Sequence, residues 1–309
     1  MSKTKFCQGI SDISDGYSGF ILDQWGVLHD GKKIFDGVLE VMEQLKSRGK
    51  EIIILSNSGK RSGLSEKRLK ELGLSKDYYD HIVTAGEFTW QGLKDQKEGI
   101  FKDLGKRVYV LSRNEDTSIV DGLDLKIAHD IDNADFLLIS GSDAPNKELD
   151  DYDAVLRKAS QKRLRAICAN PDTYALIDGK TYFGAGQIAR RYISFGGVCE
   201  FIGKPYQPII RHCMSLFENA LPASTIIIGD SMPHDVMSGA LLNIDTALIA
   251  NGVHAKQFDG AFDNPAEKDK VLNALINNYG CKPNYLMNDF SWGLALPDRK
   301  HKKDRKKKK

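Results

Sequence analysis

The chain has 309 residues, 41% hydrophobic and 28% charged, with a formal net charge of +2. That length suits two domains or one large one, and the composition excludes a disordered chain, a collagen-like repeat and a small disulfide scaffold. No run of 18 apolar residues occurs, so no membrane span is predicted, and the N-terminal stretch lacks the apolar core and cleavage site of a signal peptide.

The net charge hides an asymmetry. Residues 299–309, RKHKKDRKKKK, carry nine basic residues and one acidic one, leaving the rest of the chain with 35 basic and 41 acidic residues, a net −6. Such a like-charge run is expected to be a disordered, solvated tail. The acidic body argues against a dedicated nucleic-acid surface on the fold. The five cysteines (Cys7, Cys168, Cys199, Cys213 and Cys281) are scattered, without a Cys-x-x-Cys pair. Reduced thiols in a cytoplasmic protein are the expectation.

In chain order, short runs that are apolar throughout alternate with segments of helical period. Phe20-Ile21-Leu22 comes first, then Val38, Val41, Met42 and Leu45 on one helix face, then Ile52-Ile53-Ile54-Leu55 and Ile82-Val83. The middle has its own strands, Val108-Tyr109-Val110-Leu111, Phe136-Leu137-Leu138-Ile139 and Ala166-Ile167-Cys168-Ala169, and a helix with Tyr152, Val155, Leu156 and Ala159 on one face. The rhythm returns with Thr225-Ile226-Ile227-Ile228, then a helix presenting Val236, Met237, Ala240 and Leu241, then Thr246-Ala247-Leu248-Ile249. Wholly apolar strands belong to parallel sheets buried on both faces, and alternation with helices predicts βαβ units. The fold class is therefore α/β. Residues 1–84 and 197–298 would form a doubly wound parallel-sheet core, and 85–196 an inserted α/β unit.

Ligands of such sheets bind beyond the carboxyl ends of the strands, so the polar residues that follow the strands are the candidate site. They are Asp23-Gln24-Trp25-Gly26 after the first strand, Ser56-Asn57-Ser58-Gly59 after the second, Lys204 after Phe201-Ile202-Gly203, and Gly229-Asp230-Ser231-Met232-Pro233-His234-Asp235 after 225–228. Hard carboxylate oxygens suit Mg²⁺, which binds few protein ligands and keeps its waters. A hydroxyl, a lysine and turn N–H groups can neutralise phosphate oxygens, and an aspartate can serve as nucleophile.

In this order and spacing the four segments resemble the haloacid dehalogenase superfamily, over nearly the whole chain before the tail. A large α/β cap between the hydroxyl and lysine motifs resembles its class IIA, the branch of nitrophenylphosphatases and of nucleotide and sugar phosphatases. Asn170-Pro171-Asp172 and Gly184-Ala185-Gly186 are similar to cap signatures of that class. The resemblance implies a Rossmannoid core with this cap, Mg²⁺ as cofactor, and a small phosphorylated metabolite, such as a sugar phosphate or nucleoside monophosphate, as substrate. It also implies an aspartyl-phosphate intermediate and a homodimer formed through the cap. Carried over, Asp23 matches the nucleophile and a metal ligand, the Trp25 carbonyl a backbone metal ligand, Asp230 the metal carboxylate, and Asp235 a further metal ligand or a residue just behind the metal. Ser56, with Asn57 and Ser58, matches the phosphate-binding loop. Lys204 matches the lysine bridging nucleophile and phosphate, and Asn170 and Asp172 match substrate-side residues of the cap.

One position departs from the pattern. Phosphatases of the superfamily usually carry a second Asp two residues after the nucleophile, as general acid and base; here it is Trp25. His29 and Asp30 are alternative acids, close in sequence. Two further readings therefore stay open: a catalytically weak protein that binds a phosphate ligand, and a metal-independent dehalogenase-like hydrolase. Gly184-x-Gly186-x-x-Ala189 also imitates a dinucleotide fingerprint, without the acidic residue expected downstream. Cap-loop glycines are the better account.

Overall fold

The computed structural model describes residues 3–177 and 180–293, so the expected basic tail at 299–309 lies outside the described residues. The strands are β1 (Lys5–Phe6), β2 (Gly19–Asp23), β3 (Glu51–Ser56) and β4 (His81–Thr84), then in the middle β5 (Arg107–Leu111), β6 (Lys126–Ile127), β7 (Phe136–Ile139) and β8 (Arg165–Cys168). β9 (Tyr174–Ile177) and β10 (Lys180–Phe183) form an antiparallel hairpin, β11 (Val198–Phe201) follows, and β12 (Thr225–Gly229), β13 (Asp245–Ile249) and β14 (Tyr285–Met287) complete the set.

Seven strands form one sheet in the order β1-β14-β13-β12-β2-β3-β4, with every neighbour parallel. From β2 the chain winds outward through β3 and β4 and later returns to the other side at β12. The switch point, where doubly wound sheets bind ligands, thus lies at β2 and β12. A second sheet, β11-β8-β7-β5-β6, is also parallel throughout. The α/β core with an inserted α/β cap is as expected. Val198–Phe201 lies beyond the boundary expected at 196 yet pairs with β8 in the second sheet, not with the core. Its half-exposed alternation marks an edge strand, a pattern that does not reveal which sheet it edges.

Alternate residues of the seven-stranded sheet face two apolar layers. Phe20, Leu22, Ile52, Ile54, Ile226 and Ile228 meet the helix Val38–Ser47 through Val38, Val41, Met42 and Leu45. That helix starts at Gly37 without a side-chain cap. A cap would be worth about 1 kcal/mol, against roughly 1.5–3 kcal/mol for each fully buried Val, Met or Leu, so packing holds the helix. On the opposite face Ile21, Ile53, Leu55 and Ile227 share one continuous apolar cluster with Val108, Phe136, Leu138 and Ile167 of the second sheet. The two units are therefore joined by burial as well as by chain.

The helix expected to present Val236, Met237, Ala240 and Leu241 keeps only the first two of them inward, Val236 buried and Met237 packed beside it. In Met237–Leu242, Ser238 and Gly239 are buried while Ala240 and Leu241 are exposed. A Cβ at Gly239 would sit 2.1 Å from Thr246 Cγ2 and 2.5 Å from the Ile244 carbonyl oxygen. Close approach of Thr246 and the Ile244 carbonyl selects glycine at 239, so hydrophobicity alone does not decide the face.

Candidate active site

Asp23 is the last residue of β2, and Asp230 directly follows β12. Asp235 lies on the turn of helix Met232–Val236, which brings it back over the strand end. One oxygen from each of these three carboxylates lies within 4.8 Å of the others. Into the cluster reaches Lys204, fully buried, with Nζ 2.6 Å from Asp23 Oδ1 and 2.8 Å from Asp235 Oδ1. The Gln24 N–H also donates to Asp23 Oδ1 at 2.7 Å, so both of these bonds fall on the same oxygen and Oδ2 is left to react. Asp230 Oδ2 accepts the Val253 N–H at 2.8 Å, and Asp235 Oδ2 the Ser231 N–H at 3.1 Å.

Three carboxylates against one ammonium leave an excess of buried negative charge. Burial pushes the Asp23 carboxyl well above the usual carboxylate range, reinforced by Asp235 and Asp230 and opposed by Lys204. Burial, with Asp235 beside it, pushes Asp230 up to about 7. Burial works against the charge on Lys204, yet Asp23 and Asp235 outweigh it and hold the ammonium above its ordinary value. Uncompensated acidic oxygens held by backbone N–H groups fit a hard divalent cation.

Glycines make the cradle. A Cβ on Gly26 would lie 2.0 Å from Asp230 Oδ2, on Gly252 2.2 Å from the same atom, and on Gly229 1.9 Å from Asp235 Cγ. Gly229→Ala is therefore expected to displace Asp235 and unseat Lys204. Such overpacking costs about 1–3 kcal/mol. Thermal scans with and without Mg²⁺ should show a melting temperature several degrees lower and a weaker response to the cation; an unchanged response would remove Asp235 from the cation site. Gly252 and the Val253 N–H were missed in the sequence, although Asn251-Gly252 follows an apolar strand and was legible by the same rule as the other strand ends.

Ser56 closes β3 beside Asp23, since Asp23 pairs with Leu55. Its Oγ accepts the Ser58 N–H at 3.3 Å, and the Ser58 Oγ accepts the Lys60 N–H at 3.3 Å, which shapes the loop. Asn57 turns its side chain onto Lys204 and Asp172. Asn170 stays within the cap turn, its Oδ1 accepting the Asp172 N–H at 3.1 Å. Gly184 and Gly186 serve close packing, since a Cβ on either would meet the carbonyl oxygen of Asp172 or Pro171 at 2.2 Å.

Trp25 is 49% exposed. Its indole rests on Gly31, where a Cβ would come within 2.3 Å of the ring, and meets the His29 ring edge-on with centroids 5.2 Å apart. His29 is buried, and burial with Arg68 nearby lowers it to about 4, so it is neutral. Its Nδ1 accepts the Gly31 N–H at 2.9 Å, which leaves the ring proton on Nε2, 3.0 Å from the Gln24 amide. The Gln24 oxygen, buried without a partner, accepts that proton once the amide is turned to put Oε1 rather than Nε2 against His29. Asp30 Oδ1 accepts the Lys32 and Lys33 N–H groups at 2.8 and 2.9 Å in an exposed turn. Both sequence-adjacent candidates for the acid thus hold the loop together.

Comparison with known proteins gives a consistent picture. The family described as haloacid dehalogenase-like hydrolase matches residues 20–126, and the HAD-hydrolase-like family matches residues 201–277. The chain is 29% identical over 265 residues to the sugar-phosphatase AraL of Bacillus subtilis, covering 84% of this chain and 90% of that one. It is 25% identical over 264 residues to the acid sugar phosphatase of Staphylococcus haemolyticus, covering 84% and 96%. Its fold is similar to the crystal structure of a haloacid dehalogenase-like hydrolase from Brucella suis, with a TM-score of 0.75, 25% identity, and 92% and 99% of the two chains covered.

Proposed function

Because the chain belongs to the haloacid dehalogenase-like hydrolases and has the class IIA cap, we propose that it is a Mg²⁺-dependent hydrolase of small phosphomonoesters acting through an aspartyl-phosphate on Asp23. The observation that carries this reading is the buried cluster of Asp23, Asp230, Asp235 and Lys204 at the switch point of the sheet. The names of AraL and of the staphylococcal acid sugar phosphatase favour a sugar phosphate as substrate.

In this mechanism Asp23 Oδ2 attacks phosphorus, the bond from phosphorus to the leaving oxygen breaks, and that oxygen takes its proton from solvent. Lys204, the Ser56 hydroxyl and the Asn57 N–H take up charge on the phosphoryl oxygens, joined by the Ser58 N–H when it exchanges its long bond to Ser56 Oγ for one to phosphate. Water then attacks the phosphorus of the acyl phosphate and releases phosphate and Asp23. Asp23, Asp230, Asp235 and the Trp25 carbonyl would hold Mg²⁺, which when bound neutralises the carboxylates and polarises a phosphoryl oxygen. Asn170 and Asp172 would face the substrate from the cap side.

A screen of sugar phosphates and nucleoside monophosphates with Mg²⁺ tests the reading, with an aryl phosphate as generic substrate. Chelator should abolish turnover and added Mg²⁺ restore it, whereas full turnover in excess chelator would favour the metal-free, dehalogenase-like chemistry. Linkage adds a second readout. Asp230 ordinarily titrates near 3.8 and is raised to about 7 in the fold, so the folded chain holds a proton that the unfolded chain releases. Metal-free stability should therefore fall as pH rises through that window. Mg²⁺ should raise the melting temperature more at pH 8 than at pH 5, and the reverse order would contradict the assignment. Trp25 favours a second reading, a binding protein of feeble turnover, which would show affinity for phosphate esters without release of phosphate.

A further inference from the structure

We propose that Asp172 of the cap is a positioning residue for Lys204, acting through Asn57, so that seating of the cap fixes the lysine against Asp23; this rests on the hydrolase reading above. Both polar atoms of the Asn57 side chain are committed, in three hydrogen bonds. Oδ1 accepts the Lys204 N–H at 2.6 Å, while Nδ2 donates to the Lys204 carbonyl at 3.1 Å and to Asp172 Oδ1 at 2.8 Å. The residue is buried, so it can satisfy the main chain of Lys204 only in this one orientation. The Asp172 carboxylate selects that orientation, because an amide turned over would aim oxygen at oxygen.

The Asp172 side is itself rigid. Its N–H donates to Asn170 Oδ1 at 3.1 Å, its carbonyl accepts the Gly186 N–H at 3.0 Å, and Gly184 lets the backbone approach. The same turn touches the lysine loop a second time. Gly203 has φ +120°, and a Cβ there would lie 2.7 Å from both Asn57 Oδ1 and Pro171 Cδ. Pro171 and Asp172 therefore abut the Lys204 backbone and its Asn57 brace, in a segment that the family pattern would assign to the substrate side of the cap. A displacement of about 1 Å in a positioned group can lower a rate by roughly 10²-fold, so a contact remote from phosphorus can govern turnover.

The test compares Asp172→Ala, Asp172→Asn and Asn57→Ala in the full chain, reading kcat and KM on an aryl phosphate with Mg²⁺ and the hydrogen exchange of the Lys204 amide. Asp172→Ala should lower kcat by roughly 10–100-fold with little change in KM, and Lys204 should exchange faster. Asp172→Asn, whose amide oxygen can still accept the Asn57 bond, should recover most of the loss. The Asp172→Ala/Asn57→Ala double variant should lose no more than Asn57→Ala alone, because both act on one path. A rise in KM at constant kcat would overturn the proposal in favour of a substrate contact, as would equal losses in Asp172→Asn and Asp172→Ala. Unchanged exchange at Lys204 in Asp172→Ala would overturn it as well. Exchange requires no turnover, so it decides this proposal even if the wild type hydrolyses no phosphate ester.

Discussion

Asp23→Asn is expected to abolish turnover, by roughly the 10⁶-fold seen when a covalent nucleophile is removed, without loss of the fold. The amide keeps the shape of the carboxylate, and its oxygen can still accept from Lys204 Nζ and the Gln24 N–H, which lie 2.6 and 2.7 Å from Oδ1 in the wild type. Lys204 also keeps Asp235 at 2.8 Å, so no buried ammonium is stranded. In the metal-free protein the substitution should not lower the melting temperature at neutral pH, because it removes one member of a repelling carboxylate cluster whose Asp23 is already driven toward its proton-bound form. Near-wild-type activity in the folded variant would remove Asp23 from the mechanism. A collapse of the melting temperature would show that its charge holds the site together.

Trp25→Asp carries the second large effect. If the indole occupies the place of a missing acid, the wild type should hydrolyse aryl phosphates, whose leaving group needs little protonation, far better than alkyl phosphates. Restoring a carboxylate should then raise alkyl phosphate turnover by up to the roughly 10²–10⁴ that a positioned acid supplies, with a smaller gain on aryl esters. At 49% exposure the new carboxylate would not be buried without a partner. The stability lost would instead be that of the indole packed on Gly31 and against His29. His29 is neutral and tied by both ring nitrogens, and Asp30 is bound in its own turn, so neither stands ready to replace the acid. Equal losses on alkyl and aryl substrates would sink the missing-acid account and leave Trp25 as a packing residue.

Much of this was legible one segment at a time. The apolar runs Phe20-Ile21-Leu22, Ile52–Leu55 and Thr225–Ile228 announce buried parallel strands because each must bury side chains on both faces. The residues that follow them, Asp23, Ser56 and Asp230, stand at one sheet edge because parallel strands all end on the same side. Local periodicity therefore determined the fold class and which residues gather at one sheet edge as a candidate site. It could not determine which side chains meet across the edge. Lys204 comes between Asp23 and Asp235, and Asn57 bridges Lys204 to Asp172, only after segments far apart in the chain have packed. The same holds for Val198–Phe201, whose sheet depends on the partner strand β8, and for Gly239, where Thr246 and the Ile244 carbonyl lie too close for a larger side chain. Hydrophobic period records how often a side must be buried; contact distance between remote backbones decides what can lie there, and only the tertiary structure sets that distance.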